Sequence, residues 1–163
     1  MNIVLESISE IDIKNISFLE TKKNIIVDGN FTKIIYSDTY VTMNGIFAKF
    51  PLKITDTDST MNKSTLAFNP NIMHNYSMIK VLSDIEHKII DYYNHEYGIN
   101  KKSVYILLNQ LMTGKIKLYR EGRDREISIK EWNTSNIIIK ISGVWETNDE
   151  VGITYKFLEM ISI

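Results

Sequence analysis

Apolar residues alternate with polar ones at both ends of this chain, and recur every three to four positions in its middle. The final stretch, Ile137–Ile163, carries the clearest period-two pattern. One arm runs through Ile137, Ile139, Ile141 and Trp145, a polar tip follows at Glu146-Thr147-Asn148-Asp149-Glu150, and a second arm runs from near Gly152 to the last residue. β-Branched and aromatic residues dominate both arms, which predicts two long strands folded into a hairpin. An apolar strand at this end of the chain needs neighbours on both edges, so it is expected to close a sheet or barrel.

Upstream, short strands are predicted at Ile16–Glu20 and Asn24–Val27, with Asp28-Gly29-Asn30 as a turn. Firmer ones follow at Phe31–Tyr36, Tyr40–Met43 and Ile46–Phe50. Asn44-Gly45 suits a two-residue type I′ hairpin, because both central positions of that turn need φ > 0. Pro51 donates no ladder hydrogen bond and belongs at an edge or bulge. Residues 55–75 are polar and read as a long exposed loop. From about Ser77 to Tyr97, Met78, Leu82, Ile85, Ile89 and Tyr92 or Tyr93 share one face of a helix that Gly98 ends. A shorter helix is expected over Lys101–Met112. Strands return at Lys115–Tyr119 and Arg125–Ile129 around the turn Glu121-Gly122-Arg123-Asp124. The expected fold is mainly β with a helical insertion at about 75–113 (α+β). One domain over 1–163 would form a small antiparallel β-barrel closed by the C-terminal hairpin, of which the oligonucleotide-binding type is the nearest match.

Size and composition narrow the setting. At 163 residues a single core suffices, and with no cysteine there is neither a disulfide framework nor a thiolate metal site. The N-terminus lacks a basic flank and meets Glu6 after three apolar residues, which does not fit a signal peptide. No apolar run reaches the roughly 20 residues that cross a bilayer. A soluble, intracellular protein without a membrane partner is expected.

Net charge is −1, yet it is unevenly spread: residues 101–140 hold 9 Lys/Arg against 4 Asp/Glu, whereas residues 1–100 hold 9 against 12. All three arginines, Arg120, Arg123 and Arg125, lie in that segment. A local basic excess on a neutral domain points to a focused anionic partner; a solvated strand pair with ordinary surface charge also accounts for it. Lys115, Lys117, Tyr119, Arg120, Arg123, Arg125, Lys130, Trp132 and Lys140 fall within 26 residues, followed by Trp145, Tyr155 and Lys156. Single-stranded nucleic acid needs both kinds of side chain, cations along the phosphates and ring faces for unstacked bases. The alternative reading puts Trp132 and Trp145 in the core and leaves the lysines as solubilising groups.

Other chemistry is thinly represented. His87, Asp91 and His95 share a helix face at metal-ligand spacing, but Asp84, Lys88 and Asn94 share it too, and a solvated surface explains all six. There is no nucleophile elbow, phosphate-cradling glycine loop or dinucleotide fingerprint, and nothing nominates a reaction or a cofactor.

The order of elements, with the FPLKI strand, the polar loop, the long helix, the basic strands and the closing hairpin SGVWETNDEVGITYKFLEMISI, resembles viral and phage single-stranded-DNA-binding proteins of the oligonucleotide-binding fold. The segments TKIIYSDTYVTMNGIFAKFPL and KISGVWETNDEVGITYKF are also similar to proteins of large eukaryotic DNA viruses. The resemblance implies a non-catalytic protein that coats single-stranded DNA in replication or recombination and self-associates. It would act at a viral replication site in the host nucleus or cytoplasm, or in the virion. Phosphate contacts would come from Lys115, Lys117, Arg120, Arg123 and Arg125, and stacking from Tyr119, Trp132 and Tyr155. The acidic tail of the phage proteins has no counterpart after Ile163, so recruitment through a tail is not expected. A virion structural or assembly protein is the competing expectation.

Overall fold

A computed structural model of the chain describes residues 3–26, 28–60, 63–119 and 137–159. Arg120, Arg123, Arg125, Lys130 and Trp132, the strand expected at Arg125–Ile129 and the last four residues lie outside the described residues.

Two short 3-10 turns, Ile8–Glu10 and Ile13–Asn15, lead into β1 (Ile16–Phe18), β2 (Lys22–Asn24), β3 (Gly29–Ser37), β4 (Thr42–Met43), β5 (Ile46–Lys49), β6 (Ile54–Thr60) and β7 (Lys63–Phe68). Helix α1 (Met73–Tyr97), β8 (Lys102–Ser103), helix α2 (Ile106–Met112), β9 (Lys115–Tyr119), β10 (Ile137–Glu146) and β11 (Glu150–Glu159) complete the order. The C-terminal hairpin is the spine of the sheet. β10 pairs antiparallel with β11 along its length and with β3 and β5 on its other edge. A mainly β, α+β protein results, as the alternation predicts.

The barrel does not close. The strand path β1-β3-β10-β11-β9-β7-β6 is open, and among the described residues no pairing joins β1 to β6. The helices take over the task that closure would have performed. Ile79, Leu82, Ile85, Ile89 and Ile90 of α1 and Leu107 and Leu111 of α2 are buried in one cluster with Ile139, Ile141, Ile153 and Phe157 of the hairpin. One face of the sheet, the inner face, is therefore covered by helix; on the other, Ile138 and Leu158 are buried apart from that cluster. The sheet is also mixed, because β8 and β9 both run parallel to β11. Parallel neighbours need a crossover connection, and α2 carries the chain from β8 to β9 along the same edge of β11.

Three further expectations are corrected. The polar stretch 55–75 holds the β6–β7 hairpin, whose β7 edge also pairs with β9. Its apolar content is low because only Leu66 and Phe68 of β7 reach the core. Asn44-Gly45 does not join a hairpin of its own arms: β4 pairs with β3 and β5 with β10, and only Gly45 has positive φ (99°). The true β3–β4 turn is built on Asp38, whose Oδ1 accepts from the backbone N–H groups of Tyr40 and Val41. α1 starts at Met73, four residues before the predicted Ser77, because its first turn is fixed by a buried polar residue. Asn75 accepts from the Lys53 N–H at 2.8 Å and donates to the carbonyls of Lys53 and Asn69. At its other end Gly98 takes the left-handed conformation (φ 61°) that terminates the helix.

Candidate nucleic-acid interface

Strand parity sorts the hairpin's side chains into two sets. On β10 and β11 the pairs Ile141/Tyr155, Ile139/Phe157 and Val144/Ile153 face the helices; Lys140/Lys156, Gly143/Thr154 and Trp145/Gly152 face outward. The outer set continues across the sheet. Lys140 stands opposite Lys156, and the parallel register Phe157/Leu118 places Lys156 beside Lys117 one residue back. Three lysines thus occupy one row on three neighbouring strands, separated by about 5 Å of sheet each. Like charges directly opposite disfavour strand pairing. Lys115, Lys117 and Tyr119 alternate outward from β9, as predicted, with Ile116 and Leu118 buried between them. The Lys140 amine also lies 5.0 Å from the centre of the Phe47 ring.

Two aromatic rings on this face are laid over glycines. Phe31 of β3 is directly opposite Trp145 of β10. A Cβ at Gly143 would come within 2.7 Å of Phe31 Cζ and 2.3 Å of the Thr32 carbonyl oxygen; one at Gly152 would come within 2.6 Å of Trp145 Cζ2. Each ring therefore lies across the next strand at a position where a side chain would prop it upright. The Trp145 indole has a second anchor, its N–H donating to the Ile153 carbonyl at 3.1 Å. That carbonyl lies on the β11 edge between the β8 pairing at Glu150 and Val151 and the β9 pairing at Phe157 and Leu158. The tryptophan fills a notch in the sheet edge.

These features line three connected hollows. One of about 490 Å³ contains Leu19, Lys22, Phe31 and Lys33; the next, about 830 Å³, contains Lys22, Lys23, Ile25, Ile26, Phe31 and Trp145. The last, about 320 Å³, runs past Trp145 and Thr154 to Lys117, Tyr119 and Lys156. Phe31 and Lys22 are shared by the first two, and Trp145 and Thr154 by the second and third. The result is a groove across the strands with rings along its floor and lysines along its sides.

Of the acidic residues at the groove, Glu20 is exposed beside the first hollow, while Glu146 and Glu150 are held by other groups. Glu146 is buried, and its Oε1 accepts from Lys101 Nζ at 2.7 Å while Oε2 accepts from the Tyr93 hydroxyl at 2.8 Å. Burial alone would raise its carboxyl, but the Lys101 and Tyr93 hydrogen bonds outweigh burial and hold it below the ordinary value. Glu146 is thus a strand residue facing inward, not the hairpin tip the sequence suggested; the turn is Thr147–Asp149, closed by Thr147 N–H donating to the Glu150 carbonyl at 2.8 Å. Glu150 itself pairs with Lys102 at 3.7 Å.

Among the predicted contact residues, Lys115, Lys117, Tyr119, Lys140 and Lys156 share the outer face. Tyr155 does not. It faces the helices, its ring against Phe157 and its hydroxyl donating to Gln110 Oε1. Burial first, and then the charge of Glu86, push that hydroxyl up to about 12. Glu86 is a fully buried carboxylate that accepts from the Leu107 and Leu108 N–H groups at 2.9 and 3.0 Å; burial raises its pKa, partly offset by those bonds. His87 stacks on Tyr105 at 3.7 Å and donates to the Ser83 carbonyl, and no group of three potential ligands gathers among the described residues. No helix among the described residues is long and apolar enough to cross a membrane.

Phe31, Lys22, Lys23 and Lys33 were not singled out from the sequence. The parity that links Lys156 through Thr154 to Gly152 was available there, but the register that sets Phe31 beside Trp145 was not. Set against protein-family models, curated proteins and solved structures, the chain matches none of them.

Proposed function

We propose that this protein binds single-stranded DNA without catalysis, along the outer-face groove, as a replication or recombination accessory of a DNA virus. The observation that carries this reading is the pairing of rings laid over glycines, Phe31 on Gly143 and Trp145 on Gly152, with a lysine row beside them. Flat rings accept unstacked bases at roughly 1–3 kcal/mol each, whatever the sequence. Lys117, Lys140 and Lys156, with Lys22, Lys23 and Lys33 toward the other end, would track phosphates, and Arg120, Arg123 and Arg125 would add phosphate contacts. Self-association along a coated strand fits the same role.

Titration with a fluorescent oligo-dT at rising salt tests the reading. Counterion release predicts a steep linear fall of log affinity with log salt, with a slope of about −0.7 per phosphate neutralised. Trp145→Ala should weaken binding on the order of tenfold. Salt-independent or absent binding would reject the proposal. A virion assembly role is the second reading, favoured by the exposed apolar side chains of Tyr40 and Met73, at 92% and 86% exposure. It predicts stoichiometric presence in purified particles and indifference to the oligonucleotide.

A further inference from the structure

The outer edge of β11 is interrupted where Trp145 reaches it. β8 pairs there with Glu150 and Val151 and β9 with Phe157 and Leu158; among the described residues no strand pairs with residues 152–155 on that edge. The Val151 carbonyl accepts from the Val104 N–H at 2.8 Å and the Ile153 carbonyl from the Trp145 indole, so both point out of the strand toward the break. Backbone direction repeats every second residue of a strand, which aims the N–H and C=O of Tyr155 into the same gap. The hollow of about 320 Å³ at the break is lined from both faces of the sheet, by Thr154 on the outer side and by Tyr155 on the inner. Ile106 and Gln110 of α2 line it as well. Gln110 Oε1 accepts from the Tyr155 hydroxyl, which leaves the NH2 end of the amide, with its two donors, for another partner.

A surface that only stacks bases and tracks phosphates has no use for an opening between strands. From this construction, and resting on the groove reading above, we infer that the break is a base notch: one thymine of the bound strand turns out of the stack, enters edge-on and is read along its base-pairing edge. Single-stranded bases are recognised this way wherever their edges can reach backbone or amide groups. Thymine offers acceptor, donor and acceptor in turn along that edge. The Tyr155 carbonyl would accept its N3–H, and the Tyr155 N–H and the Gln110 NH2 would donate to its two carbonyl oxygens. No other DNA base carries that order: cytosine and adenine have a bare ring nitrogen at the central position, and guanine has an amino group on one side. Lys117 and Lys156 border the same hollow, where they would hold the phosphates flanking the turned-out nucleotide. Sequence preference at one position is thereby added to a groove that is otherwise indifferent to sequence.

The test titrates the full chain and Gln110→Met with labelled dT12 and with the same oligomer built from N3-methylthymidine. The methyl group replaces the N3 proton but leaves the ring face and the phosphates, so stacking and charge are kept. The unaltered protein should bind dT12 about tenfold more tightly than the methylated oligomer, and Gln110→Met should lower that ratio by roughly threefold. The ratio is read within each protein, so a general loss of stability or of groove affinity cancels from it. Equal affinity of the unaltered protein for the two oligomers, or a variant that keeps the full ratio, overturns the notch while leaving the groove intact. Failure to bind either oligomer overturns the groove and the notch with it. Displacement of dT12 by micromolar thymidine 5′-monophosphate assigns the hollow to a free nucleotide and also overturns the proposal.

Discussion

The two faces of the β10–β11 hairpin come from the same twenty or so residues and follow opposite rules. On the inner face, apolar side chains are buried and the buried carboxylates are hydrogen-bonded: Glu146 with Lys101 and Tyr93, and Glu86, across on α1, with the first turn of α2. On the outer face, Lys140 and Lys156 oppose each other, and glycines stand where larger residues would support the strands. The first arrangement minimises folding free energy. The second does not, and it is the face proposed above to bind DNA.

The largest expected contrast comes from truncating one side chain on the inner face. Phe157 is 2% exposed and packs on Phe50 with ring centres 5.7 Å apart. Phe157→Ala should cost about 3–5 kcal/mol, read as a lowered denaturation midpoint. The salt slope of DNA binding in the folded fraction should not change. A loss under about 1 kcal/mol would mean that the inner face is not the core.

This contrast also marks what the sequence reveals. Burial is legible where it is periodic. Ile137, Ile139 and Ile141 announce β10, and Leu82, Ile85 and Ile89 announce α1. It is hidden where polar side chains do the ordering. β6 and β7 are rich in Thr, Ser and Asp because β7 holds its place by pairing on both edges, with only Leu66 and Phe68 turned into the core. The start of α1 depends on Asn75, a residue that reads as loop until its three hydrogen bonds are seen. The candidate site divides in the same way. Lys117, Tyr119 and Lys156 could be placed by parity alone, but Phe31 joins them only through long-range register, which no local pattern encodes. Tyr155 shows the reverse case, lining the last hollow from the other face of its strand. It lies beside Lys156 in sequence, and adjacency in a strand means opposite faces.

A smaller effect should come from the buried Lys101–Glu146 pair. Lys101 holds the buried Glu146 carboxyl below its ordinary value of 4.5. A carboxyl lowered on folding contributes stability above its unfolded pKa, and that contribution is lost as pH falls through the folded value. In Lys101→Met the burial effect, the largest acting on Glu146 and opposite in sign, loses its main counterweight. The folded pKa should then rise above 4.5, so that the group's contribution is present at low pH and lost as pH rises. The variant should be about 1–3 kcal/mol less stable near neutrality, and the deficit should shrink on acidification through roughly pH 6 to 4. Glu86 titrates alike in both proteins and cancels from the difference. A deficit constant with pH would show that Lys101 does not govern Glu146.

The smallest stability effect should belong to the lysine row, and there the comparison between faces is most exposed to refutation. Lys117 alternates outward from β9, and Lys140 and Lys156 oppose each other on the outer face, so removing their charges relieves repulsion and opens no cavity. Replacing all three by Ala should change stability by less than about 0.5 kcal/mol per site, with either sign. The same variant should lower oligo-dT affinity at low salt and flatten the salt dependence by up to about three phosphate contacts. The two readouts move independently. A triple variant that unfolds would place these lysines in the structural network and erase the distinction between the faces. One that folds and binds with an unchanged salt slope would keep the distinction but move the phosphate track off this row. Only a folded protein with a flattened slope satisfies both halves, because a side chain that contributes nothing to stability yet sets the ionic-strength dependence of binding can act only through the ligand.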